Sequence, residues 1–165
     1  MSTATATATV TTATTTATTT FDRVRFGPGG GEYHIVATAA ETGNTHFAFE
    51  AIEPPGGGPP LHIHTREEEF FLVLDGEVSF YIGGRVIHAR PGESAFVPRG
   101  TPHCFKNTST RDARLLVLFT PGAIEGFFEY GRSLTGTRPS EETLLDRLNE
   151  LAPPYGLTVL GPSPL

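Results

Sequence analysis

Three histidines and a glutamate of this chain are spaced as a ligand set for one metal ion. His62 and His64 stand two apart in Leu61-His62-Ile63-His64. On an extended backbone residues i and i+2 point to the same face, so both imidazoles converge on one spot. A carboxylate follows. The Thr65-Arg66-Glu67-Glu68 bend resets the strand phase, and parity leaves both Glu68 and Glu69 open as the inward one. His103 comes after Pro98-Arg99-Gly100-Thr101-Pro102. Neutral imidazole is a borderline ligand, and one carboxylate offsets one unit of charge. Three imidazoles and a carboxylate therefore suit a divalent first-row metal: Fe, Mn, Ni, Zn or Cu, without choosing among them. On an octahedral ion four protein ligands leave two positions open, and catalysis needs open positions.

Such groups need a rigid frame, and the chain reads as short strands between turns. Residues 33–40 and 45–53 are β-rich and joined by Thr42-Gly43-Asn44. Residues 69–74 run into Asp75-Gly76, and 77–82 into Gly83-Gly84, two dipeptides that signal two-residue hairpins. Residues 85–89 meet Arg90-Pro91-Gly92-Glu93, where proline and glycine suit a type II turn. Strands over 94–97, 102–107 and 114–120 follow. This spacing, without a helical pattern between, predicts an all-β antiparallel sandwich or barrel. Helical patterns come only afterwards. Ile124, Phe127 and Phe128 show i, i+3, i+4 spacing. Ser140 can cap a helix bearing Leu144, Leu145, Leu148 and Leu151, which Pro153-Pro154 stops. These helices are expected on the outside or the end of the barrel.

Composition narrows the class. The 165 residues suffice for one domain with a real core. Glycine (19) and proline (14) punctuate about one position in five. Net charge is 12 − 18 = −6, which disfavours a partner of nucleic acid bound through phosphates. No apolar run approaches the roughly 18 residues of a membrane span. The single cysteine, Cys104, excludes an intramolecular disulfide and fits a reducing, cytoplasmic setting. Residues 1–20 hold twelve threonines and five alanines, with no basic n-region and no apolar h-region. They read as a disordered tail rather than a secretory signal, and residues 21–165 as one domain without repeat or linker.

Two framed motifs connect the ligand set to a known family. Gly56, five residues, His62-Ile63-His64, four residues, Glu69, six residues, Gly76 is one. Gly92, five residues, Pro98, Arg99, Gly100, two residues, His103, three residues, Asn107 is the other. Both resemble the paired motifs of the cupins with every fixed position filled, over residues 56–107, with flanking strands extending the likeness to about 33–120. The resemblance implies a small jelly-roll β barrel, a metal held by His62, His64, Glu69 and His103, and a homodimer. Its trailing glycine, Gly76, selects Glu69 over Glu68. The run His64-Thr65-Arg66-Glu67-Glu68-Glu69-Phe70-Phe71, Gly126-Phe127-Phe128 and Tyr155-Gly156-Leu157 are similar to single-domain bacterial cupins of the quercetin-dioxygenase-like group.

The resemblance implies a metal-dependent dioxygenase acting on a small enolic or phenolic, flavonol-like substrate. Glu69 would then be both ligand and catalytic general base. The alternatives are a metal-dependent isomerase or cyclase, and a non-catalytic small-molecule binding or sensor cupin. A full ligand set favours an enzyme. His34, His46 and His88 belong to other strands and read as surface or edge residues. Cys104 is expected behind the sheet that His103 faces from. Arg99 reads as a loop residue near the barrel mouth. Phe71, Val73 and Phe105 are candidates either for the cavity wall or for core filling.

Overall fold

The computed structural model describes residues 23–27, 30–130 and 140–165. The threonine-rich segment 1–20 lies outside the described residues. Eleven strands follow in chain order: β1 (Val24–Phe26), β2 (Glu32–Ala37), β3 (Phe47–Glu53), β4 (Leu61–His64), β5 (Glu68–Asp75), β6 (Val78–Ile82), β7 (Arg85–Ala89), β8 (Ser94–Val97), β9 (His103–Asn107), β10 (Ala113–Thr120) and β11 (Leu157–Gly161). They form two antiparallel sheets, one ordered β1-β2-β3-β10-β5-β8 and the other β11-β4-β9-β6-β7. Two helices, α1 (Glu125–Phe128) and α2 (Glu141–Leu151), lie between β10 and β11. Among the described residues no helix is long and apolar enough to cross a membrane.

Alternation along the strands decides what faces inward. On β10, Ala113, Leu115, Val117 and Phe119 are buried while Arg114 is exposed. On β5, Glu69, Phe71 and Val73 are buried and Leu74 is exposed. The register sets Phe71 beside Val117 and Glu69 beside Phe119 on the inner face. From the facing sheet, Phe80 and Phe105 meet Phe71 with ring centroids 5.0 and 5.5 Å apart. The inner faces of the two sheets thus share one apolar core. Phe71 and Val73 belong to that core and do not line the cavity described below.

The all-β expectation holds, with one refinement of shape. The two sheets are not closed into a barrel: each ends in edge strands, β1 and β8 in one, β11 and β7 in the other. The chain passes between the sheets at Asp75-Gly76. The dipeptide predicts a hairpin, but β5 and β6 belong to different sheets, so the chain turns a corner there. Gly76 has φ +81°, and a Cβ on it would stand 2.8 Å from the Ala113 Cβ. It supplies close approach as well as positive φ. Gly83-Gly84 does make the expected hairpin, with Ile82 paired to Arg85. β1 and β11 lie outside the sequence-predicted elements. The expected C-terminal helix is present. Its Ser140 cap accepts from the Thr143 amide at 3.3 Å, and Leu144 and Leu148 are buried. Pro153-Pro154 opens a short 3-10 turn over Pro153–Tyr155 that leads directly into β11.

Asn107, which closes the second motif, ties the frame together. Its side-chain amide donates to the carbonyls of Glu53 and Arg111, both at 2.8 Å. Its Oδ1 accepts from the Ser109 amide at 2.9 Å and the Ser109 hydroxyl at 2.6 Å. The residue is buried. An Asn107→Ala variant takes this donor from the buried Glu53 carbonyl and is expected to lose about 1–3 kcal/mol in urea unfolding; a loss below about 0.5 kcal/mol would contradict this role.

Candidate metal centre

The four predicted ligand residues come together. His62 and His64 extend inward from β4, two residues apart. His103 begins β9 and is the Cα partner of His62. Glu69 reaches the same point from β5, in the opposite sheet. One potential ligand atom from each lies within 4.8 Å of all the others, and all four residues are buried. His62 Nε2 and His64 Nε2 are 3.2 Å apart, His103 Nε2 and a Glu69 oxygen 2.8 Å, and His64 Nε2 and that oxygen 3.5 Å. Ligand atoms about 2.1 Å from one ion stand roughly 3 Å apart where they meet at right angles, so this donor set fits a first-row metal. Glu68 is only partly buried and pairs outside the cluster; the alternation turns Glu69 inward.

Local bonds aim the rings. His62 Nδ1 lies 2.8 Å from the Pro60 carbonyl, and His103 Nδ1 lies 2.8 Å from the Thr101 carbonyl. Carbonyls accept only from a protonated Nδ1, which leaves Nε2 of both rings facing the cluster. The Gly100 amide donates to the His64 carbonyl at 2.8 Å and joins the two motif loops. The ligand bend is held from outside as well. Thr65 donates through its amide and its hydroxyl to the Gly156 carbonyl, both at 2.8 Å, and Arg66 donates to the Pro154 carbonyl at 3.0 Å. β11 then pairs along β4, with Leu157 opposite His64 and Val159 opposite His62.

Burial dominates the electrostatics. It pushes His62 down to about 3, helped by the neighbouring His103. It holds His64 well below the usual histidine range, with His62 and His103 adding to the effect. Both rings are neutral at neutral pH, the form that binds metal. Burial raises Glu69 despite the lowering effect of its bond to His103. For His103, burial works against the cation, but the Glu69 bond and charge outweigh it and raise the ring.

Above the cluster lies an aromatic cavity. Tyr33, Phe49, Phe119, Phe127 and Phe128 line it together with His62, His64 and Glu69. The Phe119 ring meets His64 at 5.3 Å between centroids. Leu148 of α2 and Leu157 and Val159 of β11 complete the wall, so the C-terminal elements cover the cavity that the sheets leave open. Of the residues weighed from sequence for the wall, only Phe105 takes part. The aromatic set was not identified from sequence, although Phe49 and Phe119 sit at inward parity on β3 and β10. The Tyr33 ring stacks on Phe49, 4.6 Å between centroids.

The remaining candidates fall elsewhere. His34 pairs with Glu32, His46 contacts Thr45, and His88 contacts Ser79. Cys104 points behind the sheet, with its sulfur 3.4 Å from the Ser163 hydroxyl. Arg99 is exposed and does not line the cavity. Glu67 is the residue sequence reasoning missed. It is 1% exposed and neither carboxylate oxygen has a hydrogen-bond partner.

The depressed His62 predicts a pH effect on the metal-free protein. Unfolded, the ring takes a proton near 6.5; folded, it stays neutral down to about 3. His62 therefore removes stability as pH falls from about 6.5 toward 3. Melting curves in chelator are expected to show a His62→Gln variant gaining on the wild type across that window. A gap that does not change with pH would contradict it.

Residues 49–119 match the family model described as "Cupin domain". The chain is 27% identical over 100 residues to quercetin 2,3-dioxygenase of Bacillus subtilis (strain 168), covering 60% of this chain and 29% of that protein. It is 30% identical over 100 residues to the HTH-type transcriptional regulator PuuR of Escherichia coli (strain K12), covering 61% and 54%. It thus spans about half or less of the length of these two relatives. Among solved structures, the polyketide cyclase RemF from Streptomyces resistomycificus superposes with a TM-score of 0.53 at 25% identity, covering 64% of this chain and 78% of that one. With both motifs filled, the inward histidines and glutamate in place, and this fold around them, residues 49–119 of the chain form a cupin domain.

Proposed function

We propose that this cupin is a metal-dependent dioxygenase acting on a small enolic or phenolic substrate. The observation that carries the reading is a buried three-histidine, one-glutamate cluster at the floor of an aromatic cavity. A structural role alone does not account for four convergent polar groups beneath an apolar opening. The likeness to quercetin 2,3-dioxygenase supports the reaction class. Held by His62, His64, Glu69 and His103, a divalent first-row ion would supply Lewis acidity toward a hydroxyl oxygen, and a redox-active one (Fe, Mn, Ni or Cu) would also supply redox chemistry toward dioxygen.

The chain's own residues supply the rest. The Glu69 carboxylate accepts the substrate hydroxyl proton. Phe119, Phe127 and Phe128 exclude water and offer ring faces and edges to a flat substrate. The backbone-held rings of His62 and His103 keep their position while the substrate enters. The cavity of about 60 Å³ favours the reactive end of a small enol or a single phenolic ring over an entire flavonol.

A second reading, cyclisation or isomerisation through an enolate without oxygen, is supported by the similarity to RemF. Oxygen-electrode assays on metal-loaded protein with a panel of small enols and phenols separate the readings. The dioxygenase reading expects oxygen uptake that matches substrate loss. A Glu69→Gln variant is expected to turn over about 100-fold more slowly per bound metal. Substrate loss without oxygen uptake would select the cyclase or isomerase. Binding without turnover would select a sensor or carrier cupin.

A further inference from the structure

Two of the three cluster histidines are aimed by a backbone carbonyl two residues earlier: Pro60 for His62 and Thr101 for His103, each at 2.8 Å. His64 has no such bond, and its Nδ1 is buried without a hydrogen-bond partner. The residue two before it is His62, whose strand neighbours are β9 and β11. What His64 Nδ1 faces is Glu67, with one carboxylate oxygen 3.9 Å away. Glu67 ends the ligand bend and shares inward parity with Glu69. Its carboxylate is buried, and neither oxygen has a hydrogen-bond partner. The adjacent Arg66 donates to the Pro154 carbonyl, and Arg99 lies exposed. Two unpartnered buried groups of opposite hydrogen-bonding type thus stand face to face, less than 1.5 Å beyond the length of an ordinary hydrogen bond.

We propose that Glu67 is a positioning residue for His64: its carboxylate takes the Nδ1 proton in a hydrogen bond and holds Nε2 toward His62, Glu69 and His103. The proposal rests on reading that cluster as a metal site. An approach of about 1 Å brings the pair to hydrogen-bond length. A carboxylate behind one imidazole fixes its tautomer and raises its basicity, which a carbonyl does more weakly. Glu67 would thus give His64 a charged partner, while His62 and His103 have neutral ones. The run Glu67-Glu68-Glu69 then divides by strand parity into a positioning group, an outward residue and a cluster member.

The test uses the full chain, free of a metal-binding tag, titrated with Co(II) and followed by its visible absorption. Wild type is compared with Glu67→Gln, Glu67→Ala and the outward control Glu68→Gln. Metal-free melting temperatures are measured in parallel. Glu67→Gln is expected to bind Co(II) about 10- to 100-fold more weakly, and Glu67→Ala at least as weakly, with Glu68→Gln unchanged. The metal-free melting temperature of Glu67→Gln should hold, because the glutamine carbonyl still offers His64 Nδ1 an acceptor while the buried charge is gone. In the Co(II)-loaded protein, one of three paramagnetically shifted Nδ1 proton signals should move or broaden in the variant. Co(II) affinity within twofold of wild type would overturn the role of Glu67 and leave the metal reading standing. So would an affinity loss that accompanies a lower metal-free melting temperature with all three proton signals unmoved. A wild type that fails to bind Co(II) would overturn the metal reading, and the role of Glu67 with it.

Discussion

The structure depends on one costly arrangement, four ionisable side chains gathered between the two sheets. Burying such groups is unfavourable unless they are paired or coordinate an ion. Here they are partly paired. Glu69 and His103 bond across the sheets, and His62 and His103 each bond a backbone carbonyl. His64 is left with an unpartnered nitrogen. A cation at the centre would draw all four heads into favourable contact and offset the cost of burial.

Everything around the cluster serves to hold strands from different sheets at one point. β4 and β9 share a single register pair at His62 and His103, so their ladder alone cannot fix the site. Glu69 rides on β5, whose long pairing with β10 anchors it to the larger sheet. The corner at Gly76 carries the chain from that sheet to the other, and Asn107 ties the end of β9 to β3. The C-terminal elements then act on both sides of β4. β11 pairs along it, the preceding turn takes three hydrogen bonds from the ligand bend, and α2 places Leu148 over the cavity. Fold and site therefore depend on one another through β4, which carries His62 and His64 and pairs with β11 along its length.

Much of this was legible in the residues, and what was not has a physical reason. The i, i+2 spacing of His62 and His64 fixed their common face, because strand periodicity is local. Glu69 needed the family motif, since a bend breaks the phase count; the same bend hid Glu67, which shares the parity of Glu69 but has no partner in the sequence pattern. Cys104 followed from alternation alone. Asp75-Gly76 was misread as a hairpin because the dipeptide reports positive φ and not which sheet the next strand joins. The aromatic wall was missed for a related reason. Phe49, Phe119 and Phe128 converge only through long-range register, whereas the nearer Phe71 and Val73 share a face with Glu69 yet lie deeper in the core. β11 was missed because its role is set by pairing with β4, nearly a hundred residues earlier.

The most direct test of the account is metal content per chain by elemental mass spectrometry. Wild type and a His62→Ala/His64→Ala double variant would be purified without a metal-binding tag. The account predicts near one equivalent of a first-row metal in the wild type and its loss in the variant. A wild type that stays empty after reconstitution with Fe(II), Mn(II), Ni(II) and Zn(II) would contradict it, and the buried cluster would then be a cupin outline without the metal.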